Sequence, residues 1–160
     1  MNDRNRNASP SRWFEDFSLG EVYVLPSRTQ TGGLFAMFQA ASGDNDPIHY
    51  DAEYCRARGH RDMLAHGMQV MIQSAAGAGT FPSEVADSLI AMLDVSGSFL
   101  KPVYREDTLY PQLEIVGLEP QKSTGVVEML ATVHNQDDAL VFEGRHRYLI
   151  RKRPDGGTAA

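Results

Sequence analysis

A carboxylate and an imidazole held together by a short turn are the residues of this sequence best suited to chemistry. Asp44 and His49 lie in the segment Ser-Gly-Asp-Asn-Asp-Pro-Ile-His, which spans residues 42–49. Gly43 and the Asp and Asn residues favour a turn there, and Pro47 cannot continue a helix. A carboxylate and an imidazole that face one cleft can move protons at neutral pH. The segment therefore predicts an active site.

A second motif, Ala-His-Gly-Met, follows at residues 65–68 and begins an apolar run. From Gly67 to about Gly77, small and flexible apolar residues occur on nearly all sides, which predicts a helix enclosed by other structure. The first N–H groups of a helix lack internal partners and lie at the positive end of its dipole. The amide of Gly67 is therefore a candidate for stabilising negative charge, and glycine lets a ligand approach the backbone closely.

Short elements are expected to position these motifs. Apolar residues at three- and four-residue spacing predict a helix over 34–41, with Gly43 as its C-terminal stop and Asp44 just beyond it. Asp51 is suited to capping a short helix that ends by Gly59. Both motifs would then lie at the ends of short helices.

The second half of the chain is predicted to be rich in β-structure. An early strand is expected at residues 21–25, and four long ones at residues 88–100, 108–118, 125–134 and 139–150. The short, turn-like connections between the four long strands imply antiparallel neighbours. One buried helix followed by these strands predicts an α+β domain, with a curved antiparallel sheet wrapped around a long central helix.

Composition limits the classes of function. The 160 residues suit a single domain, expected over residues 13–153, with a disordered lead-in at 1–12 and a flexible tail at 154–160. A net charge of −6, from 15 Lys+Arg and 21 Asp+Glu, argues against a nucleic-acid partner. The single cysteine, Cys55, excludes an intramolecular disulfide and is interpreted as a structural thiol. With no apolar leader and no membrane-spanning run, we expect a cytoplasmic protein that does not bind membranes.

The order of these features resembles one known family. The chain has, in this order, a helix, the motif at 42–49, a short helix, the motif at 65–68, a buried helix and the strand end Phe-Leu-Lys-Pro-Val at 99–103. This order resembles that of the MaoC-like dehydratases, the (R)-specific enoyl-CoA hydratases of the hot-dog fold. The resemblance covers residues 13–153. It implies interconversion of a trans-2-enoyl-CoA and an (R)-3-hydroxyacyl-CoA in fatty acid metabolism, with no cofactor, since CoA is part of the substrate, and with no metal. It also implies a homodimer or a larger homo-oligomer.

The resemblance implies roles for particular residues. His49 would accept a proton from water, Asp44 would orient the same water, and the amide of Gly67 would stabilise the thioester oxygen. His66 is expected mainly to orient its loop by hydrogen bonding. The expected substrate-binding residues are Asp46, Pro47, His66 and Met68. Candidates for contacting the CoA phosphates are Arg58, Arg61, Lys101 and Arg105.

Two positions depart from the family pattern, and other functions stay open. Asp46 stands where relatives usually have Asn, and Ala75 stands where they often have Ser, with Ser74 on a different helical face. These departures would suit a hot-dog protein that binds acyl thioesters without turning them over. An acyl-CoA thioesterase is a weaker alternative, because residues 67–78 contain no carboxylate. Taken one at a time, the motifs are also explained by turn chemistry and core packing.

Overall fold

The computed structural model describes residues 11–154, so residues 1–10 of the predicted lead-in and residues 155–160 of the predicted tail lie outside the described part. The strands are β1 (Val22–Val24), β2 (Arg28–Thr29), β3 (Leu89–Phe99), β4 (Thr108–Pro120), β5 (Thr124–His134) and β6 (Leu140–Arg151). The α-helices are α1 (Gly32–Ser42), α2 (Ala52–Arg56), α3 (Gly67–Met71) and α4 (Phe81–Glu84). Within residues 11–154, 3-10 turns cover Phe14–Asp16, Pro47–His49, Ile72–Ser74 and Ala76–Ala78. No helix within residues 11–154 is both long and apolar enough to cross a membrane.

The six strands found in the described part of the chain pair in an antiparallel arrangement. Their order is β1-β4-β5-β6-β3, and β2 pairs with β4 at one end. Side chains alternate between the two faces of a strand, and one face of β4, β5 and β6 is buried. Leu113, Met129 and Phe142 from this face form the main core together with Val70 of α3. Each fully buried side chain of this size stabilises the fold by roughly 1.5–3 kcal/mol. The predicted α+β arrangement and its four long strands are confirmed.

The central helical segment is shorter and less regular than the sequence predicts. The α-helix ends at Met71, a 3-10 turn continues to Ser74, and Ala75 has a ψ of 119°, outside helical values. The Ser74 hydroxyl donates to the carbonyl of Met71 at 2.7 Å, and such bonds compete with the regular helix ladder. The prediction of one helix reaching Gly77 is therefore wrong.

The central segment is also not enclosed on all sides within this chain, contrary to the sequence prediction. Met68 and Ile72 are 60% and 54% exposed, and Ile72 shares a cavity of about 170 Å³ with Met92 and Val95 of β3. Among the described strands, β3 pairs with β6 alone, so its other edge is open. We use the name β3 face for the exposed apolar side chains along both sides of β3 and on the neighbouring central segment. These are Met68, Ile72, Leu89, Ile90, Met92, Leu93, Val95 and Phe99.

A second, smaller core holds the segment between α1 and α3. Phe35, Cys55 and Met63 are buried there, and Ile48, Ala52, Leu64 and Ala65 pack against them. The Cys55 thiol donates to the carbonyl of Ile48 at 3.1 Å, and burial raises its pKa, as expected for a structural thiol. Because Ile48 directly precedes His49, this core fixes the turn that carries His49.

A buried histidine joins the sheet to the central segment. Nε2 of His146 lies 3.2 Å from the Ser74 hydroxyl, and Nδ1 lies 3.2 Å from the Tyr148 hydroxyl. Since Ser74 donates its proton to Met71, it accepts from Nε2–H, while Tyr148 donates to Nδ1. The neutral ring is fully satisfied. Burial lowers the pKa of His146, although the nearby carboxylate of Asp94 acts in the opposite direction.

We expect His146 to make the fold sensitive to acid. Because its pKa is lower in the folded state than the usual value of about 6.5, the unfolded chain binds more protons between these two values. Its contribution to stability is complete above about pH 6.5 and is lost as the pH falls toward the folded-state pKa. The fall in Tm between about pH 8 and about pH 5 should therefore be smaller in His146→Gln than in the wild type. Thermal unfolding of both proteins measures it, with the strand variant His134→Gln as control, and equal falls in wild type and His146→Gln would contradict the expectation.

Candidate active site

The end of α1 places Asp44. The Thr31 hydroxyl caps the start of the helix by accepting from the N–H of Leu34 at 3.4 Å. The helix ends at Gly43, whose φ of 73° is a left-handed conformation that glycine adopts at little cost. The N–H of Asp44 then donates to the Ser42 hydroxyl at 3.2 Å. The predicted stop at Gly43 and the place of Asp44 just beyond it are confirmed.

Asp46 and Pro47 build the turn that follows. Oδ1 of Asp46 accepts from the N–H of Ile48 at 3.0 Å, and the Asp46 N–H donates to Oδ1 of Asp44 at 3.3 Å. Pro47 occupies the first position of the 3-10 turn, where its missing N–H costs nothing. The Asp46 carboxylate is thus a cap on an exposed turn. Asn caps as well as Asp does, so the departure from the family pattern preserves this role.

His49 presents a free nitrogen toward Asp44. Its Nδ1 lies 2.8 Å from the carbonyl of Leu64, and since a carbonyl only accepts, Nδ1 carries the proton. In the neutral ring, Nε2 then has a free lone pair. Nε2 lies 4.0 Å from Oδ2 of Asp44, too far for a direct hydrogen bond. One water molecule fits this separation with hydrogen bonds of about 2.8 Å to both atoms.

His66 lies behind this pair. Its ring is stacked on that of His49, with centroids 3.6 Å apart and planes inclined by 22°. The ring of Phe38 from α1 lies 5.0 Å away. Nε2 of His66 lies 3.1 Å from the backbone carbonyl oxygen of Asp44, and Nδ1 lies 3.4 Å from Oε1 of Gln69. His66 therefore joins the loop of Asp44 to the start of α3.

Two buried glutamines extend this network, and neither was predicted from the sequence. Gln69 and Gln30 are 2% and 0% exposed, and Nε2 of Gln69 donates to Oε1 of Gln30 at 3.1 Å. Nε2 of Gln30 donates in turn to the carbonyl of Arg28 at 3.2 Å. Gln69 follows His66 by three helical positions, a spacing that places side chains on one face and was a usable signal. Gln30 lies in an extended piece and carried no such signal.

Gly67 begins α3 beside a cleft. No acceptor lies against its N–H within the described residues, as expected for the first turn of a helix. Gly67 lines a cleft of about 340 Å³ together with the strand end at 99–103. A Cβ added to Gly67 would lie 3.1 Å from two ring atoms of Phe99. Met68, the next residue, is exposed and belongs to the β3 face.

One basic residue is better placed than the others to meet an anionic part of a ligand. Lys101 lines the same cleft as Gly67. The other three candidates each have an ion-pair or aromatic partner; these are Arg58, Arg61 and Arg105. Lys101 is therefore the strongest of the four candidates for a contact with a phosphate group.

Asp44, His49 and His66 bring potential ligand atoms within 4.8 Å of one another, which is close enough for one metal ion. The hydrogen bonds reduce this set. Nδ1 of His49 contacts the carbonyl of Leu64, while Nε2 and Nδ1 of His66 contact the carbonyl of Asp44 and Oε1 of Gln69. A carboxylate and one imidazole nitrogen then remain, whereas catalytic zinc sites use three protein ligands. The arrangement is better suited to proton transfer through water.

Comparison with known proteins gives the family. The profile of the MaoC like domain matches residues 16–137. The chain belongs to this family. It is 26% identical over 142 residues to YdeM, an uncharacterized protein of Bacillus subtilis, covering 86% of this chain and 98% of YdeM. It is 25% identical over 142 residues to the (R)-specific enoyl-CoA hydratase of Rhodospirillum rubrum, covering 88% of this chain and 93% of that protein.

The solved structures agree with the family assignment. The monoamine oxidase regulatory protein from Archaeoglobus fulgius is 29% identical, with a TM-score of 0.85, covering 92% of this chain and 99% of that one. A conserved hypothetical protein from Mycobacterium tuberculosis that has a double hotdog fold is 27% identical, with a TM-score of 0.75, covering 94% of this chain and 47% of that one. This second likeness confirms the predicted hot-dog fold. The resemblance drawn from the two motifs is also confirmed.

We expect Gly67→Ala to fold with only a small loss of stability. The new methyl group would press on the ring of Phe99, which is 50% exposed and can shift by a few tenths of an ångström. The cost should be about 1 kcal/mol, the lower end of the range for overpacking. Thermal unfolding beside the control Gly77→Ala, where no atom lies within 4 Å of the added group, measures the difference. Failure of Gly67→Ala to fold would show that this contact cannot relax.

Proposed function

We propose that this protein catalyses the reversible hydration of trans-2-enoyl-CoA to (R)-3-hydroxyacyl-CoA. The observation that carries the proposal is the 4.0 Å gap between Oδ2 of Asp44 and Nε2 of His49. The gap fits one water molecule between a carboxylate and an imidazole lone pair. Such a water can be deprotonated at neutral pH and directed at a carbon atom.

The chemistry follows from the tautomer of His49. As the water oxygen bonds to C3 of the alkene, Nε2 accepts one water proton, and the electron pair of the double bond moves toward the thioester. Asp44 orients the water through its second proton. The His49–Asp44 pair then returns one proton to C2, so that the net change is addition of H and OH. A placed acid or base of this kind gives roughly 10²–10⁴-fold acceleration.

The thioester oxygen gains negative charge during the addition. The N–H of Gly67 has no acceptor among the described residues and lies at the positive end of a helical segment that continues to Ser74. We assign the oxyanion contact to this N–H. One such donor contributes on the order of 10²–10³-fold. The apolar cleft beside Gly67 offers space for the thioester, and Lys101 lies at the same cleft.

The comparisons support this reaction rather than another on the same fold. The chain belongs to the MaoC-like family, and it covers 93% of a relative named (R)-specific enoyl-CoA hydratase. The Asp46 carboxylate caps the turn, a role that Asn fills equally well, so this departure from the family pattern does not by itself favour a binder without turnover.

We expect Asp44→Asn and His49→Ala each to lower kcat by at least about 10²-fold, because each removes half of the acid–base pair. The matched control is Asp51→Asn, which removes a nearby carboxylate outside the expected site and keeps a capping side chain. It should retain wild-type turnover within about threefold. The assay is the loss of enoyl-thioester absorbance with crotonyl-CoA and with longer and branched enoyl-CoAs, with the configuration of the product determined.

The other outcomes of this assay point to the alternatives. No turnover of any enoyl-CoA, with CoA thioesters still bound, would replace the hydratase by a binder of acyl thioesters. Release of free CoA without formation of a hydroxyacyl product would indicate a thioesterase. Wild-type turnover in Asp44→Asn would remove that carboxylate from the mechanism.

We also propose that two copies of this chain pair through the β3 face. An 11-residue edge strand with an open row of backbone groups and apolar side chains is an aggregation hazard unless it is covered. An antiparallel pair of identical strands satisfies twofold symmetry, so a second copy can supply the missing neighbour. Ile72 and its cavity with Met92 and Val95 would be buried by that copy.

We expect the wild type to be a dimer and Ile72→Glu to be a monomer. The substitution places a charge on a side chain that is 54% exposed in one chain and buried in the proposed dimer. Met37→Glu is the matched control, because Met37 is 69% exposed on α1 and lies outside the β3 face. Sedimentation velocity gives the masses. A monomeric wild type at micromolar concentration, or an unchanged mass in Ile72→Glu, would contradict the dimer.

A further inference from the structure

A chain of buried amides leads from the backbone of Arg28 to the ring of His66. Gln30 donates to the Arg28 carbonyl, and Gln69 donates to Oε1 of Gln30. Because a carbonyl only accepts, the Arg28 end sets the direction of both amides. Reversing either amide would place two oxygen atoms against each other in a buried position. Gln69 therefore presents its oxygen, and not its NH₂ group, to His66.

Both ring nitrogens of His66 consequently face acceptors. Nδ1 lies 3.4 Å from Oε1 of Gln69, and Nε2 lies 3.1 Å from the backbone carbonyl oxygen of Asp44. A neutral imidazole has only one N–H, so one nitrogen lone pair would face an oxygen lone pair. His66 is 3% exposed, which leaves little room for water to relieve this conflict. Only the imidazolium, with a donor at each nitrogen, satisfies both contacts.

We propose that His66 is held as an imidazolium and acts as a positioning residue that keeps His49 in its neutral, proton-accepting form. The two rings are stacked 3.6 Å apart, so a proton on His49 would bring two cations into contact. The titratable groups that face His66 among the described residues are His49 from the 3-10 turn and Asp44 from the loop after α1. Gln69 on α3 is neutral, as is Phe38 on α1. The catalytic part of this inference rests on the proposed hydratase function, while the protonation state does not.

The protonation state can be read without any substrate. Long-range proton–nitrogen correlation spectra of protein labelled with nitrogen-15 histidine, in chelator-treated buffer at about pH 7.5, distinguish protonated from unprotonated ring nitrogens. We expect both nitrogens of His66 to be protonated. His146 is the internal control, because hydroxyl groups contact both of its nitrogens and its ring should be neutral. One unprotonated nitrogen on His66 in the wild type would overturn the proposal.

Variants of Gln69 test the consequence for catalysis. Gln69→Leu removes the acceptor at Nδ1, so His66 should lose one ring proton. The acid limb of the pH profile of kcat/KM should then move to higher pH by about one unit, which corresponds to a tenfold higher proton affinity of the catalytic base, His49. Gln69→Met also removes the oxygen opposite Nδ1 but keeps the length of the side chain, so it should move the acid limb in the same direction. A role in packing alone would lower activity in both variants without moving the limb.

The readouts separate this proposal from the proposed function. If the protein hydrates enoyl-CoAs and His66 is neutral in the spectrum, the proposal for His66 fails alone. If His66 is an imidazolium and no enoyl-CoA is turned over, the hydratase assignment fails and the charge assignment stands. If Gln69→Leu does not fold, the wild-type spectrum still decides the protonation state, and Gln69→Met decides the effect on the pH profile.

Discussion

The hydrogen bond from Nδ1 of His49 to the carbonyl of Leu64 is the contact on which the site depends. At 2.8 Å it fixes which ring nitrogen carries the proton, and so leaves Nε2 free to face Asp44. The N–H of Leu64 donates back to the carbonyl of Ile48 at 3.0 Å, so the two segments are tied in both directions. Without this pairing the imidazole would have no preferred tautomer, and the carboxylate beside it would have no defined partner.

The rest of the fold holds this pairing in place. The N–H of Ala65 donates to the carbonyl of Val103 at 2.8 Å, which ties the same segment to the chain that follows β3. The small core around Phe35, Cys55 and Met63 packs beneath it. The main core supports α3, and α3 supplies the amide of Gly67 and the buried contact from Gln69 to His66. A site made largely of loop residues is thereby fixed by bonds to rigid elements on each side.

Local rules were enough to predict the parts of the site that are close in sequence. Gly43 ends α1 because it accepts a left-handed backbone, and Pro47 starts the next turn, so Asp44 and His49 could be placed together. The contact between His49 and Leu64 joins distant positions and depends on packing that no local pattern reports. The same holds for Gln30, whose partner lies on α3.

Where the sequence prediction was wrong, a tertiary contact explains the difference. The α-helix stops at Met71 because Ser74 bonds to the backbone and to His146 of the sheet, a residue far along the chain. The apolar pattern of the central segment was real, but composition does not reveal whether an apolar side chain is covered by its own chain or by another. Ile72 illustrates this, since it belongs to a surface that the chain leaves open.

In the proposed mechanism, Asp44 and His49 add the hydroxyl group and a proton of one water molecule to the same face of the alkene. The most direct test is to hydrate crotonyl-CoA in D₂O and to determine by NMR the relative configuration of deuterium at C2 and hydroxyl at C3. We expect a single diastereomer, with both groups added to one face and the (R) configuration at C3. Addition to opposite faces, or a mixture of diastereomers formed at the enzyme, would contradict a mechanism built on one shared water.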